Sequence, residues 1–174
     1  MNKILFVSAN RYQDPYPVYP LGVSYLATCL RTQLPQYDTQ IFDFNLHSSE
    51  EFTTLITATP YKYICVSLRN IDDTNIFEKN SFISWYLQII EMIKQHSPNS
   101  IIIIGGAGFS VFPELLFKVL QPNYGINGEG EDSIVQLITT LDKQEQPNEI
   151  EGLVYMEGEK TIVNPRTHYC HSIA

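Results

Sequence analysis

The strongest constraint on the fold is the alternation of short apolar runs with amphipathic stretches along the chain. Lys3–Ser8, Tyr63–Leu68 and Ser100–Ile104 are apolar runs with the length of a strand that is buried on both faces. Between the first two runs, apolar residues recur at helical spacing, namely Val23, Leu26, Ala27, Leu30 and Leu34. This alternation predicts an α/β fold in which helices cover both faces of a parallel sheet.

Five such strand–helix units and a terminal hairpin can be counted in the sequence. They predict a doubly wound, flavodoxin-like or Rossmann-like fold with a five-stranded parallel sheet in the order 2-1-3-4-5. Gly152–Met156 and Lys160–Asn164 predict the C-terminal β-hairpin. We assign residues 1–148 to the α/β domain and residues 149–174 to the hairpin and tail. In such sheets, ligands bind at the carboxyl ends of the strands, here between strands one and three.

Composition and charge exclude several classes of function. The 174 residues carry a net charge of −8, and the 11 Lys and Arg residues are scattered singly, so we expect no nucleic-acid partner. No apolar run approaches the roughly 18 residues of a membrane span, and the N-terminal apolar run is too short for a signal peptide. We therefore expect a cytoplasmic protein that does not contact a membrane.

The residues that follow the predicted strands are the candidates for ligand binding. The fourth strand runs into Gly105-Gly106-Ala107-Gly108, and three glycines in four residues predict a smooth turn on which a large ligand lies against the backbone. After the fifth strand, Gly128 and Gly130 flank Glu129, which indicates that another group packs closely there. Capping of the following helix by Glu129 and Glu131 is an equally good interpretation of this segment.

Motifs of other ligands and of catalysis are absent from the sequence. The loop after the first strand has no glycine, which argues against a dinucleotide fingerprint, and no Gly-Lys-Ser/Thr of a P-loop occurs. The acidic cluster of a phospho-acceptor domain is also missing. We identify no catalytic residue and no metal-ligating set, and we interpret His47 and His96 as surface histidines.

The segments at the strand ends resemble a known family, the N-terminal cobalamin-binding domain of cobalamin-dependent radical SAM enzymes. The segments that carry the resemblance span roughly residues 3–164 and occur in the same order and spacing. They are Pro20–Ala27, Asp43-Phe44-Asn45, Val66–Asn70, Gly105-Gly106 through Phe109-Ser110 with Pro113-Glu114, Tyr124–Glu131 and Ile150–Tyr155.

The resemblance implies a module that holds a corrinoid (cobalamin) for methyl transfer or a related radical reaction. The residues that it implies for cofactor binding are Asn10, Arg11, Leu21, Ser67, Leu68, Arg69, Asn70, Gly105, Gly106, Ala107, Gly108, Phe109, Gly128, Glu129 and Gly130. The loop after strand one and Leu68–Asn70 would meet the corrin ring. Ser67 and the glycine-rich turn would line the groove for the nucleotide tail.

Two departures from better-known motifs refine this expectation. The corrinoid motif D-x-H-x-x-G is replaced by Asp43-Phe44-Asn45-Leu46-His47, with the wrong spacing and no following glycine, so cobalt would be bound without a histidine from this loop. The C-x-x-x-C-x-x-C motif of radical SAM enzymes is absent. S-adenosylmethionine and a four-iron four-sulfur cluster would therefore belong to a radical SAM domain outside this sequence, acting in cis or in trans.

Two other functions remain open from the sequence. One is a flavodoxin-like or nucleotide-binding domain of an unrelated enzyme, which would bind a flavin or a nucleotide in place of a corrinoid. The other is an interaction domain without a cofactor, which would bind none of these ligands.

Overall fold

The apolar runs form one twisted sheet at the centre of the protein. The computed structural model describes residues 2–13, 16–73 and 81–168. Within these residues the sheet has seven strands. They are β1 (Asn2–Ser8), β2 (Tyr37–Asp43), β3 (Tyr61–Ser67), β4 (Ile101–Gly105), β5 (Tyr124–Ile126), β6 (Leu153–Glu157) and β7 (Lys160–Val163).

The strands lie in the order β2-β1-β3-β4-β5-β6-β7. Strands β1 to β5 run parallel, whereas β6 pairs antiparallel with β5 and β7 antiparallel with β6. The sheet is therefore mixed and seven-stranded, because the predicted C-terminal hairpin adds two antiparallel strands to the parallel ones. The hairpin joins the sheet because Leu153 and Val154 pair with Ile126 and Gly125 and cover what would otherwise be an open edge.

Helices cover both faces of this sheet, as the alternation predicted. Their bounds are α1 (Leu21–Gln33), α2 (Ser49–Ala58), α3 (Ile83–His96), α4 (Ala107–Val111), α5 (Pro113–Leu120) and α6 (Glu131–Asp142). The start of α2 is set by a capping box, in which the Ser48 hydroxyl accepts from the Glu51 amide and the Glu51 carboxylate accepts from the Ser48 amide. The short helix α4 stands where the sequence predicted only a glycine-rich turn.

Two apolar cores lie on opposite faces of the sheet. One core packs α1 and α6 against the sheet through residues such as Val23, Leu30 and Leu137. The other core packs α2, α3 and α5 against the opposite face, for example through Phe52 and Ile90. This division decides which strand-end side chains are able to meet a ligand on a given face.

A polar network closes the edge of the sheet where the strands begin. The Asp142 carboxylate at the end of α6 accepts hydrogen bonds from the hydroxyls of Tyr37 (2.6 Å) and Tyr63 (3.0 Å) and from Lys62 Nζ (2.6 Å). Burial raises the pKa of both tyrosines, and the bonds to Asp142 raise it further. Partial burial acts to raise the pKa of Asp142, but the three donors outweigh it and the pKa is lowered. The network fixes the C-terminal end of α6 at the edge of the sheet opposite the carboxyl edge.

Candidate functional site

A cavity of about 180 Å³ opens at the carboxyl edge of the sheet, between the first turns of α1 and α6. Its inner surface is apolar and is formed by Phe6, Val23, Leu26, Ile103, Ile126 and Ile134. The Cys65 thiol also borders it, and burial raises the pKa of this thiol, so that it stays protonated. The cavity lies next to the point between β1 and β3 where the strand order reverses, which is the expected place for a ligand in this fold.

Backbone rather than side chains forms much of the cavity wall, through Gly22, Gly105, Gly106, Gly128 and Gly130. A Cβ atom placed on Gly22 would meet no other atom within 4 Å, so the space beside the start of α1 is open. A Cβ atom on Gly130 would lie 3.2 Å from a methyl group of Leu26, and one on Gly105 would lie 3.3 Å from the carbonyl oxygen of Ile126. Gly22 therefore borders the most accessible part of the cavity.

The glycine-rich turn after β4 has a second role that the sequence did not reveal. Gly106 has φ of +97°, and a Cβ atom there would lie 2.7 Å from the carbonyl oxygen of Leu68. A Cβ atom on Gly108 would lie 3.0 Å from the backbone of Arg69 and Asn70. Gly108 is thus required by close packing between α4 and the loop after β3, and Gly106 by both its backbone conformation and this loop. These structural roles stand beside the predicted contact of the turn with a ligand, since Gly105 and Gly106 also line the cavity.

Two of the predicted cofactor-binding side chains face away from the cavity. Leu68 and Phe109 are fully buried in the core formed with α2, α3 and α5, on the other face of the sheet. The Phe109 ring packs on Gly125, where a Cβ atom would lie only 2.6 Å from it. At this position Leu68 contributes its backbone, since its amide donates to Gly105 and its carbonyl accepts from Gly108, both at 2.8 Å.

The segment Gly128-Glu129-Gly130 forms the wall of the cavity next to α6. The group that packs on Gly128 is the side chain of Arg166, whose Nε would lie 3.1 Å from a Cβ atom at this position. Arg166 also donates to the carbonyl oxygen of Glu129 at 2.6 Å. Close packing at this loop was predicted correctly, but Arg166 was not identified because it lies almost 40 residues further along the chain.

The loop after β1 lies at the same edge and presents polar groups. Asn10 is 7% exposed, and its side-chain nitrogen has no hydrogen-bond partner among the described residues. The Arg11 guanidinium lies over the indole of Trp85, 4.2 Å from the ring centroid, and the indole nitrogen donates to the carbonyl oxygen of Ala9 at 2.9 Å. Leu21, at the start of α1, is 70% exposed.

The remaining predicted residues divide between the cavity and its rim. Ser67 borders the cavity at the end of β3, while Arg69, Asn70 and Ala107 are exposed at the same edge of the sheet. The Tyr86 hydroxyl donates to the Asn70 carbonyl and so fixes this loop, and burial raises the pKa of Tyr86 to about 12.

Glu131 is a lining residue that the sequence assigned only to helix capping. It stands at the first position of α6, and its Oε2 atom is buried without a hydrogen-bond partner in the described part of the chain. A buried carboxylate oxygen of this kind is an acceptor available to a ligand that brings a hydrogen-bond donor.

His47 packs beside α2 and does not border the cavity. Its ring lies 5.0 Å from the ring of Phe42, and its Nδ1 atom lies 3.6 Å from the Glu51 carboxylate. Over the described residues, no group of three His, Cys, Asp or Glu side chains is arranged to hold a metal ion. Nor does any helix in these residues have the length and apolar character to cross a membrane.

Comparison with known proteins decides the family. The profile of the B12 binding domain matches residues 9–138, which include α1, strands β2 to β5 and most of α6. The chain belongs to the B12-binding domain family.

Relatives with this domain are larger than the present chain. Tryptophan 2-C-methyltransferase from Streptomyces laurentii is 26% identical over 141 residues, which are 79% of this chain and 23% of the relative. The chain therefore spans about a quarter of the length of this curated relative.

Solved structures share the fold. The radical S-adenosylmethionine methyltransferase TsrM from Kitasatospora setae, with cobalamin and a [4Fe-4S] cluster bound, matches with a TM-score of 0.84 and 24% identity over 95% of this chain and 31% of TsrM. The cobalamin-dependent S-adenosylmethionine radical enzyme OxsB matches with a TM-score of 0.76 and 19% identity over 97% of this chain and 23% of OxsB.

The cavity of this B12-binding domain fits the tail of cobalamin. An apolar cavity of about 150 Å³ is sufficient for a benzene ring, so a cavity lined by Phe6, Ile103 and Ile126 accommodates a flat aromatic base. The Glu131 oxygen without a partner and the Ser67 hydroxyl are polar groups at this otherwise apolar surface. The apolar lining and these few polar groups match the usual composition of a cofactor site.

Proposed function

We propose that this domain holds cobalamin at the carboxyl edge of its sheet and presents it to a radical SAM domain. The α/β domain of residues 1–148 would bind the cofactor, and residues 149–174 would form the hairpin and tail that lead towards the partner domain. The observation that carries the proposal is the apolar cavity with glycine walls at the start of α1, in a chain whose family binds B12.

In this proposal the nucleotide tail enters the cavity and the corrin ring lies over the strand ends. The backbone of Gly105 and Gly106 and the hydroxyl of Ser67 would contact the tail, while the apolar lining would exclude water from it. Gly128, Glu129 and Gly130 would close the side next to α6.

The rim residues would orient the ring. The edge of a corrin carries amide side chains, which both donate and accept hydrogen bonds. Asn10 and Asn70 offer amides of the same kind, and the Arg11 and Arg69 guanidinium groups and the Ala107 backbone lie at this edge. Leu21 would add an apolar contact from the first turn of α1.

The chemistry belongs to the cofactor and its partner domain. When bound, cobalamin would supply a cobalt centre able to accept and transfer a methyl group. This chain would bind and orient the cofactor, and His47 would not ligate cobalt, because its ring packs on Phe42 and does not border the cavity. Similarity to a tryptophan methyltransferase supports methyl transfer as the reaction class, with S-adenosylmethionine and an iron–sulfur cluster held by the partner domain, in cis or in trans.

The proposal is tested by mixing the purified protein with hydroxocobalamin, removing free ligand on a desalting column and recording the visible spectrum. We expect corrinoid absorbance in proportion to protein. Flavin mononucleotide and ATP serve as parallel ligands, because retention of one of them and not of cobalamin would favour the alternative of a nucleotide-binding domain. Retention of none at high micromolar loading would favour an interaction domain and would refute the proposal.

A further inference from the structure

Arg166, in the segment after β7, connects that segment to the wall of the cavity. Its terminal Nη2 donates to the carbonyl oxygens of Glu129 (2.6 Å) and Asn127 (3.3 Å) and to the Ser133 hydroxyl (2.9 Å). The same nitrogen lies 3.5 Å from the carbonyl oxygen of Glu151. One side chain therefore satisfies backbone acceptors on both sides of the loop that joins β5 to α6.

Two glycines leave the space that this guanidinium occupies. A Cβ atom on Gly128 would lie 3.1 Å from Nε, and one on Gly152 would lie 2.5 Å from Nη2. Both glycines also have positive φ, at +85° and +71°. The backbone around Arg166 is thus shaped to let the guanidinium reach the carbonyl groups, which a larger residue at either position would prevent.

The segment that carries Arg166 is anchored in turn by Glu151. Its carboxylate accepts hydrogen bonds from the amides of Thr167 (3.2 Å) and His168 (3.0 Å), from the Thr167 hydroxyl and from His168 Nδ1 (2.8 Å). These bonds, led by the one from the Thr167 hydroxyl, lower the pKa of Glu151 to about 2. The carboxylate is therefore charged at neutral pH, and the segment is held close to the start of α6.

The loop under Arg166 is the part of the cavity wall formed by Gly128, Glu129 and Gly130. On its other side the amide of Gly128 donates to the Ser110 hydroxyl at 2.8 Å. The loop is short of side-chain packing of its own, because two of its three residues are glycines. Besides the bond from the Asn127 amide to the Gly152 carbonyl oxygen at 2.8 Å, the loop is held by Arg166 on one side and by Ser110 on the other.

We propose that Arg166 is a positioning residue for the cofactor site, which holds residues 127–130 in the conformation that forms the cavity wall. The proposal rests on the proposed function, because it makes affinity for cobalamin depend on the order of residues 164–168. That segment follows the hairpin, on the side where the proposed partner domain would begin. Binding of a partner to the segment and binding of cobalamin to the cavity would then be coupled, and each would change the affinity of the other by the same factor.

Two measurements on the full chain test this inference. Amide hydrogen exchange without ligand reports the order of residues 127–130, and titration with hydroxocobalamin reports affinity. We expect Arg166→Ala to speed exchange in this loop and to weaken cobalamin binding by about tenfold, which corresponds to about 1.4 kcal/mol of lost preorganisation. Arg166→Lys should be intermediate, since an ammonium group cannot reproduce the planar fork of donors. Arg31→Ala, at an exposed position of α1, is the matched control and should change neither quantity.

Rescue by methylguanidinium distinguishes the loss of the Arg166 guanidinium from a general loss of fold. At millimolar concentration it should restore part of the cobalamin affinity of Arg166→Ala and leave the parent protein and Arg31→Ala unchanged. Unchanged exchange at residues 127–130 in Arg166→Ala would overturn the inference, and so would faster exchange with unchanged affinity. A parent protein that retains no cobalamin would refute the proposed function instead, and would remove the role of Arg166 in cofactor binding with it.

Discussion

Replacement of Gly22 by leucine should separate the stability of the fold from the capacity of the cavity. Gly22 is the second residue of α1, it lines the cavity, and a Cβ atom there would meet no atom within 4 Å. The first atom of a leucine side chain would therefore extend into open space beside the cavity. The side chain would occupy the space that the proposed function assigns to the cofactor tail.

The two expected effects have opposite signs. Glycine within a helix costs about 0.5–1 kcal/mol relative to alanine, and leucine is almost as favourable as alanine. For a domain of this size the substitution should raise Tm by roughly 1–4 °C. Exclusion of an aromatic base from the cavity forfeits roughly 2 kcal/mol of apolar burial, which is a loss of about 30-fold in cobalamin affinity.

Affinity is followed by the quenching of Trp85, the single tryptophan, as hydroxocobalamin is added. Thr32→Leu places the same side chain at an exposed position of α1 and is the control. Cobinamide, a corrinoid without the nucleotide tail, should bind the parent protein and Gly22→Leu with similar affinity. Parental cobalamin affinity in Gly22→Leu would refute the assignment of the tail to this cavity. A lowered Tm would show that the space beside Gly22 is not open.

Three further predictions follow from contacts elsewhere in the structure. Substitution His47→Ala should leave the electron paramagnetic resonance spectrum of bound cob(II)alamin unchanged, since the imidazole is held against α2; loss of a nitrogen splitting in the variant would contradict this. Substitution Asp142→Asn should lower the free energy of unfolding at pH 7 by roughly 1–3 kcal/mol in denaturant titrations, because charged hydrogen bonds to buried hydroxyls are lost. The pKa of Asp142 is lowered in the folded state, so the parent should lose this advantage as pH falls below about 4, and a constant difference between the two proteins down to pH 2 would argue against it. Substitution Gly106→Ala should lower the free energy of unfolding by about 1–3 kcal/mol, because of the positive φ and the 2.7 Å approach of a Cβ atom to the Leu68 carbonyl oxygen. It should also reduce the retention of cobalamin. An unchanged unfolding midpoint would show that the backbone relaxes there.

Local features of the sequence were sufficient for the elements of the fold. Within the predicted strand Ser100–Ile104, residues 101–104 are four consecutive isoleucines, which is typical of a strand covered on both faces, and β4 begins there. Ser48 and Glu51 have the spacing of a capping box, and Pro113 suits the first turn of a helix. These are interactions over three or four residues, so they are readable without any knowledge of tertiary packing.

The order of strands and helices also predicted that the site lies at the carboxyl edge of the sheet. It did not predict the roles of individual residues. Ser67 and Leu68 are neighbours in sequence, yet one borders the cavity and the other lies in the opposite core. Adjacent residues of a strand point to opposite faces, and the register of the sheet decides which face carries the ligand. Glycine at 108 has the same sequence signature whether a ligand or the backbone of a neighbouring loop approaches it.

The sequence by itself determined the alternating elements and their caps, and it predicted the edge of the sheet at which a ligand would bind. Only the tertiary structure decided that the hairpin extends the sheet, that Gly22 borders open space, and that Arg166 reaches back to the loop after β5. The physical reason is one of range. Helix and strand formation depend on neighbours within a few residues, whereas a cavity wall depends on groups that the chain brings together from distant positions, and no local pattern records which groups those are.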